Sequence, residues 1–61
     1  MAEPETLLRI KEVAEALKVS TKTVRRLISL GEIPAVWIGG SIRVLQSDLD
    51  QYIKRAKRRY Q

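Results

Sequence analysis

Apolar residues recur along this chain at helical spacing, then at strand spacing, then at helical spacing again. Ile10, Val13, Ala14 and Leu17 stand at i, i+3, i+4 and i+7, which places them on one face of an α-helix. The spacing predicts a first helix over 10–17. Its start is weakly signalled, because Arg9 occupies the place of a Ser or Thr cap. Glu12, near the first turn, suits the positive end of the helix dipole. A second stripe, Val24, Leu27 and Ile28, predicts a second helix. Ser20 stands before it as N-cap, and Gly31 stands where helices end in a left-handed residue. Lys18-Val19-Ser20 is then the whole connection, so the two helices must turn sharply. Glycine often fills such turns. Lys18 at positive φ would cost on the order of 1 kcal/mol, and Val19 is expected to plug the core between the helices.

Beyond Gly31 the period shortens. Val36-Trp37-Ile38 and Ile42-Arg43-Val44 flank Gly39-Gly40-Ser41, a hairpin signal. A two-residue loop would set Val36 and Ile38 on one face with Ser41 and Arg43. A three-residue loop at 39–41 pairs Ile38 with Ile42, Trp37 with Arg43 and Val36 with Val44. It is the expected register, because the apolar and polar faces then separate. The helical period returns with Leu49, Tyr52, Ile53, Ala56 and Tyr60 as an inner face. Ser47 is the expected N-cap, with Asp48 and Asp50 in the first turn. Leu7 and Leu8 predict a short extended piece beneath the domain. The expected fold class is mainly α with a small β-hairpin, as three helices plus a wing: a winged helix-turn-helix. Residues 1–6 read as a flexible N-terminal tail and 7–61 as a single domain with a basic C-terminal end.

At 61 residues the chain holds one domain at most, with little surface to bury. It has no cysteine and no histidine, so disulfides and common zinc sites are out, and no cofactor or metal is expected. The absence of cysteine fits a reducing compartment. No apolar run approaches the roughly 20 residues that span a bilayer, and the acidic start Met1-Ala2-Glu3-Pro4-Glu5 is no signal peptide. No membrane association is expected. Net charge is +5, which favours a polyanionic partner. The charge is uneven. Lys18, Lys22, Arg25 and Arg26 face no acid between 18 and 30, and Lys54, Arg55, Lys57, Arg58 and Arg59 crowd the C-terminal end.

At about 100° per residue, Lys22, Arg26 and Ser29 point away from the apolar stripe of the second helix, with Arg25 on one flank and Thr23 and Leu30 on the other. A helix with one face in the core and the other offering Lys, Arg, Ser and Thr suits the major groove of DNA. Read alone, such a helix is equally a solvated face. The hairpin and the basic end favour the groove. The expected recognition-helix residues are Ser20, Thr21, Lys22, Thr23, Arg25, Arg26 and Ser29. Those of the wing are Gly39, Gly40, Ser41 and Arg43, the glycines either approaching DNA closely or only supplying turn geometry. Lys54, Arg55, Lys57 and Arg58 are expected on phosphates, although a basic helix end also complements the dipole. Trp37 stays open between packing on the body, stacking with Arg43, and meeting a second protomer or the DNA sugar-phosphate surface. No nucleophile–base pair is evident, and Ser20, Ser41 and Ser47 have simpler roles as caps or turn residues. No catalysis is expected.

From Leu8 to Ile53 the chain resembles the excisionase-type, MerR-like winged-helix family. The resemblance rests on Glu12-Val13-Ala14-Glu15-Ala16-Leu17, Val19-Ser20, Thr23-Val24-Arg25-Arg26-Leu27-Ile28, Gly31-Glu32-Ile33-Pro34-Ala35, Ile38-Gly39-Gly40, Arg43 and Ser47-Asp48-Leu49. It implies a recognition helix in the major groove and a wing at the adjacent minor groove. It also implies a small recombination directionality factor that binds repeated sites cooperatively, bends DNA and directs an integrase toward excision of a phage or mobile element. Such a factor works on DNA in the cytoplasm of a bacterial host, with self-association on repeats and an integrase as partners. Lys18, Arg9 and Trp37 depart from the family pattern, which often has a turn glycine, a helix cap and a basic residue at these places. No long helix for a coiled coil follows the wing, so a dimeric MerR-type sensor is not expected. The alternatives are a small transcriptional regulator of the same fold and a protein-interaction adaptor that uses its basic end on an acidic partner.

Overall fold

The structure, a computed structural model, describes residues 6–59. The expected tail therefore lies outside the described residues save for Thr6, and the expected packing of Tyr60 lies outside them too. Element order is β1 (Leu7–Leu8), α1 (Ile10–Leu17), α2 (Thr21–Ser29), β2 (Val36–Ile38), β3 (Ser41–Leu45) and α3 (Gln46–Arg59). Three helices and a hairpin form a mainly α domain, consistent with a winged helix-turn-helix.

α1 begins where the apolar period begins. Arg9 gives no side-chain cap, but Glu12 reaches back and accepts the Arg9 backbone N–H at 2.8 Å. This is the acidic half of a capping box, and it satisfies one of the donors that every helix start leaves open. At the other end Lys18 sits at φ 60°, ψ 41°. Its N–H donates to the Glu15 carbonyl at 3.3 Å, and the Val19 N–H donates to Ala14 at 3.0 Å. These are the paired bonds of a Schellman stop. α2 ends in the same motif, with Gly31 at φ 78°, its N–H on the Ile28 carbonyl and the Glu32 N–H on Leu27. Both helices thus end on a left-handed residue, glycine in one and lysine in the other. Val19, expected in the core, is 39% exposed. The Schellman turn directs its backbone to Ala14 and leaves its side chain at the rim.

The core is wholly apolar. Ile10, Val13 and Ala14 from α1, Val24 from α2, Ile33 from the loop, Val44 from β3 and Leu49 from α3 are buried, with Leu8, Leu17, Leu27, Ile28, Ala35, Ile42 and Tyr52 packed around them. The sheet order is β1-β3-β2, antiparallel throughout, with Leu7 opposite Leu45 and Leu8 opposite Val44. The two-residue extended piece is therefore a strand that closes the sheet. Just before it, the Thr6 carbonyl accepts the Gln46 N–H at 2.9 Å.

Two expectations are corrected here. α3 starts at Gln46, so Ser47 lies inside the helix and not before it as N-cap; Asp48 is in the first turn, and Asp50 accepts from the Gln46 amide at 3.0 Å. The sheet runs directly into α3, and Thr6 supplies the acceptor for its first amide. Ile53 is 42% exposed and lies outside the core, which Leu49 and Tyr52 meet from α3.

Candidate nucleic-acid interface

α2 is set by its cap and its stripe. The Ser20 Oγ accepts the Thr23 backbone N–H at 3.1 Å and lies 3.1 Å from the Thr23 hydroxyl. Ser20 and Thr23, both expected at DNA, thus hold each other and fix the helix start. Val24 is fully buried and Leu27 and Ile28 are half-buried, so the helix cannot rotate without exposing them. Thr21, Lys22, Arg25, Arg26 and Ser29 are then exposed. Lys22, Thr23 and Arg26 line one shallow cleft on the outward face. Among the described residues, Lys22, Arg25 and Arg26 make no side-chain hydrogen bond or ion pair. Their charges stand in water, with no carboxylate of the described residues paired to them.

The hairpin differs from expectation. Ile38 pairs with Ser41, Trp37 with Ile42 and Val36 with Arg43, so the loop is the two residues Gly39 and Gly40. Both have positive φ, 57° and 81°. That is the type I′ geometry, whose twist matches a right-handed β-ribbon. Turn chemistry sets this register, and face separation does not. Near the tip there is no core to reward alternation, so Trp37 at 73% and Ile38 at 49% are exposed on opposite faces. A Cβ on either glycine would meet open space, so these glycines are required by their backbone angles alone within the chain.

The register also separates Trp37 from Arg43, and the stacked pair of the three-residue loop does not form. Arg43 folds back, its Nη1 donating to the Ile42 carbonyl at 2.8 Å. Trp37 and Ile42 instead face α2, forming a cleft with Arg25, Ile28 and Ser29. Sequence reasoning missed Ile42 and Ile28 in this cleft; the Gly39-Gly40 pair, read as an I′ turn, would have found Ile42.

The basic end forms a separate patch. Gln51, Lys54, Arg55 and Arg58 lie together on α3, with Lys57 exposed outside that patch. Arg55 is partly committed within the chain, since its Nη2 donates to the Glu32 carbonyl at 2.9 Å. That bond joins α3 to the loop after α2 across 23 residues of sequence. Among the described residues, no cluster of three or more acidic side chains could hold a metal ion, and no helix is long and apolar enough to cross a membrane.

Two short helices around a tight turn, followed by a β-hairpin, are the geometry of a DNA-docking domain whose second helix enters the major groove. Residues 7–57 match the family described as "Helix-turn-helix domain". The chain belongs to that family. This helix-turn-helix domain is 53% identical over 38 residues to a protein of two Mycobacterium tuberculosis strains, named in one "Putative DNA-binding protein Rv0500A". The match covers 62% of this chain and 49% of the relative, so the chain spans about half the length of the mycobacterial relatives it matches. It is also 51% identical over 43 residues to "Uncharacterized protein YvgK" of Bacillus subtilis, a match covering 70% of this chain and 14% of that one. No solved structure matches this chain significantly.

Proposed function

We propose that this chain is a sequence-specific binder of double-stranded DNA of the excisionase type. It docks α2 in the major groove and binds repeated sites cooperatively, bending the DNA and directing an integrase toward excision. The observation that carries the DNA reading is the outward face of α2. Lys22, Arg25 and Arg26 are exposed there on a helix locked by Ser20 and Val24, with no intrachain ion pair among the described residues. Lys22, Arg25, Arg26, Thr21 and Ser29 are the residues for base edges and flanking phosphates. Lys54, Arg55, Lys57 and Arg58 neutralise phosphates, and Gly39, Gly40, Ser41 and Arg43 approach from the wing. Arg43 keeps four further N–H donors besides the one on the Ile42 carbonyl.

The naming of the mycobacterial relatives as "Putative DNA-binding protein" supports DNA as the ligand. The excisionase role rests on the family resemblance of Glu12–Leu17, Gly31–Ala35 and Ser47–Leu49. Cooperativity follows from size, because one small module buries only about 600–1,000 Å² on DNA and is weakly specific alone. The place of action is DNA in the cytoplasm of a bacterial host.

Footprinting over the attachment region of the encoding element tests this. Protection of spaced repeats, filling together as protein is added, supports the excisionase reading. Protection confined to a promoter would make the chain a transcriptional regulator. No protection at low salt would leave a protein-interaction adaptor.

A further inference from the structure

The cleft between α2 and the hairpin encloses about 290 Å³ and has two chemically distinct walls. One offers the Arg25 guanidinium and the Ser29 hydroxyl, both exposed. The other offers the Trp37 indole and the Ile42 side chain, with Ile28 at the base. Trp37 is the chain's one tryptophan, and 73% of it meets solvent. An exposed indole forgoes a large hydrophobic gain, and the register of the hairpin holds it facing α2.

A cation and a hydroxyl beside an aromatic plate match one repeating unit of a nucleic-acid backbone. The phosphate takes the polar wall, and the weakly polar face of the adjoining sugar takes the apolar one. A helix in the major groove with a hairpin reaching toward the next groove must straddle the strand that divides them. A second copy of the chain is the poorer occupant, because Arg25 and the rest of the cationic α2 face would repel their own kind.

We propose that this cleft seats one deoxyribose-phosphate of the DNA strand between the two grooves, with Arg25 and Ser29 on the phosphate oxygens and Trp37 against the sugar. The proposal rests on the DNA-binding reading above. It adds an apolar backbone contact at Trp37, where the family pattern often has a basic residue instead.

The test uses the full chain and a duplex of the encoding element's attachment region. Binding is followed by anisotropy of a labelled duplex, and Trp37 by acrylamide quenching of its emission with the unlabelled one. Saturating duplex should lower the quenching several-fold. Trp37→Ala should weaken binding about tenfold, in the range of aromatic contacts to nucleic acid, with an unchanged salt slope. Trp37→Phe should keep most of the affinity, and Arg25→Ala should reduce the salt slope by about one unit. Duplex that binds without altering the quenching, together with a Trp37→Ala variant of parental affinity, would overturn the proposal and leave the DNA reading standing. So would a Trp37→Lys variant that binds more tightly with a steeper slope, since charge and not an apolar plate would then be wanted. Protection of Trp37 by raised protein concentration without DNA would assign the cleft to a second copy and overturn it as well. If anisotropy is unchanged even at low salt, the DNA reading itself fails and the proposal falls with it.

Discussion

Lys18 holds a backbone conformation that its side chain disfavours. At φ 60° its Cβ crowds the following carbonyl, a penalty of about 1–2 kcal/mol that glycine avoids. The Schellman bonds from Lys18 and Val19 to the last turn of α1 hold it there. Lys18→Gly should therefore stabilise the domain by about 1 kcal/mol, less the backbone entropy that glycine adds to the unfolded chain. In a thermal melt the net gain raises Tm by roughly 2–4 °C for a domain of this size. An unchanged or lower Tm would mean that the exposed lysine compensates elsewhere. On the exposed cationic surface the residues separate by the role proposed for them. Lys22→Ala and Arg26→Ala should leave stability within about 0.5 kcal/mol of the parent, since both are exposed and unpartnered among the described residues. A variant that removes a base contact loses about 1–3 kcal/mol of discrimination between sites. Lys54→Ala should weaken all duplexes alike and flatten the salt slope by about one unit. Binding titrations of each variant on cognate and scrambled duplexes distinguish these outcomes.

The elements differ in how far they could be read from the chain. α1 was legible from its apolar period alone, which gives Ile10–Leu17 without a cap or a glycine stop, and α2 from its period together with Ser20 and Gly31, which bracket Thr21–Ser29. The hairpin was legible as a hairpin but not in register. The expected register rested on face separation, which matters only where a core rewards burial, whereas a Gly-Gly turn acts everywhere. At the exposed tip only the turn acts. Gly40→Ala should cost about 1 kcal/mol through its φ of 81°, whereas Gly39→Asn should be within about 0.5 kcal/mol of the parent, since Asn-Gly is favoured in a type I′ turn. Urea denaturation of the two variants checks this, and equal losses would contradict the turn assignment. α3 was legible in its body and not at its start, where the Gln46 N–H donates to the carbonyl of Thr6, which lies just before β1 and 40 residues earlier in sequence. The bond from Arg55 to Glu32 has no local signal either. Arg55→Ala should cost about 0.5–1 kcal/mol, small because the side chain is exposed.

Across the whole molecule, a handful of buried apolar side chains supports three exposed sets of groups, on α2, at the wing and on α3. The α2 set is oriented by burial of its opposite face, and the wing set by the turn. The α3 set is oriented by Leu49 and by the bond from Arg55 to the loop after α2. So small a core makes a marginal domain, and DNA that binds only the folded form adds stability by mass action, about 2.7 kcal/mol at a hundredfold excess over Kd. One small module is weakly specific alone, and the proposed function makes neighbours on repeated sites supply the rest. The measurement that tests this most directly is a titration of the chain against a single attachment-region site and against the intact repeat array, each at two salt concentrations. The account predicts tighter, cooperative filling of the array and a steep loss of both affinities with salt. A single site bound as tightly as the array, or binding indifferent to salt, would contradict it.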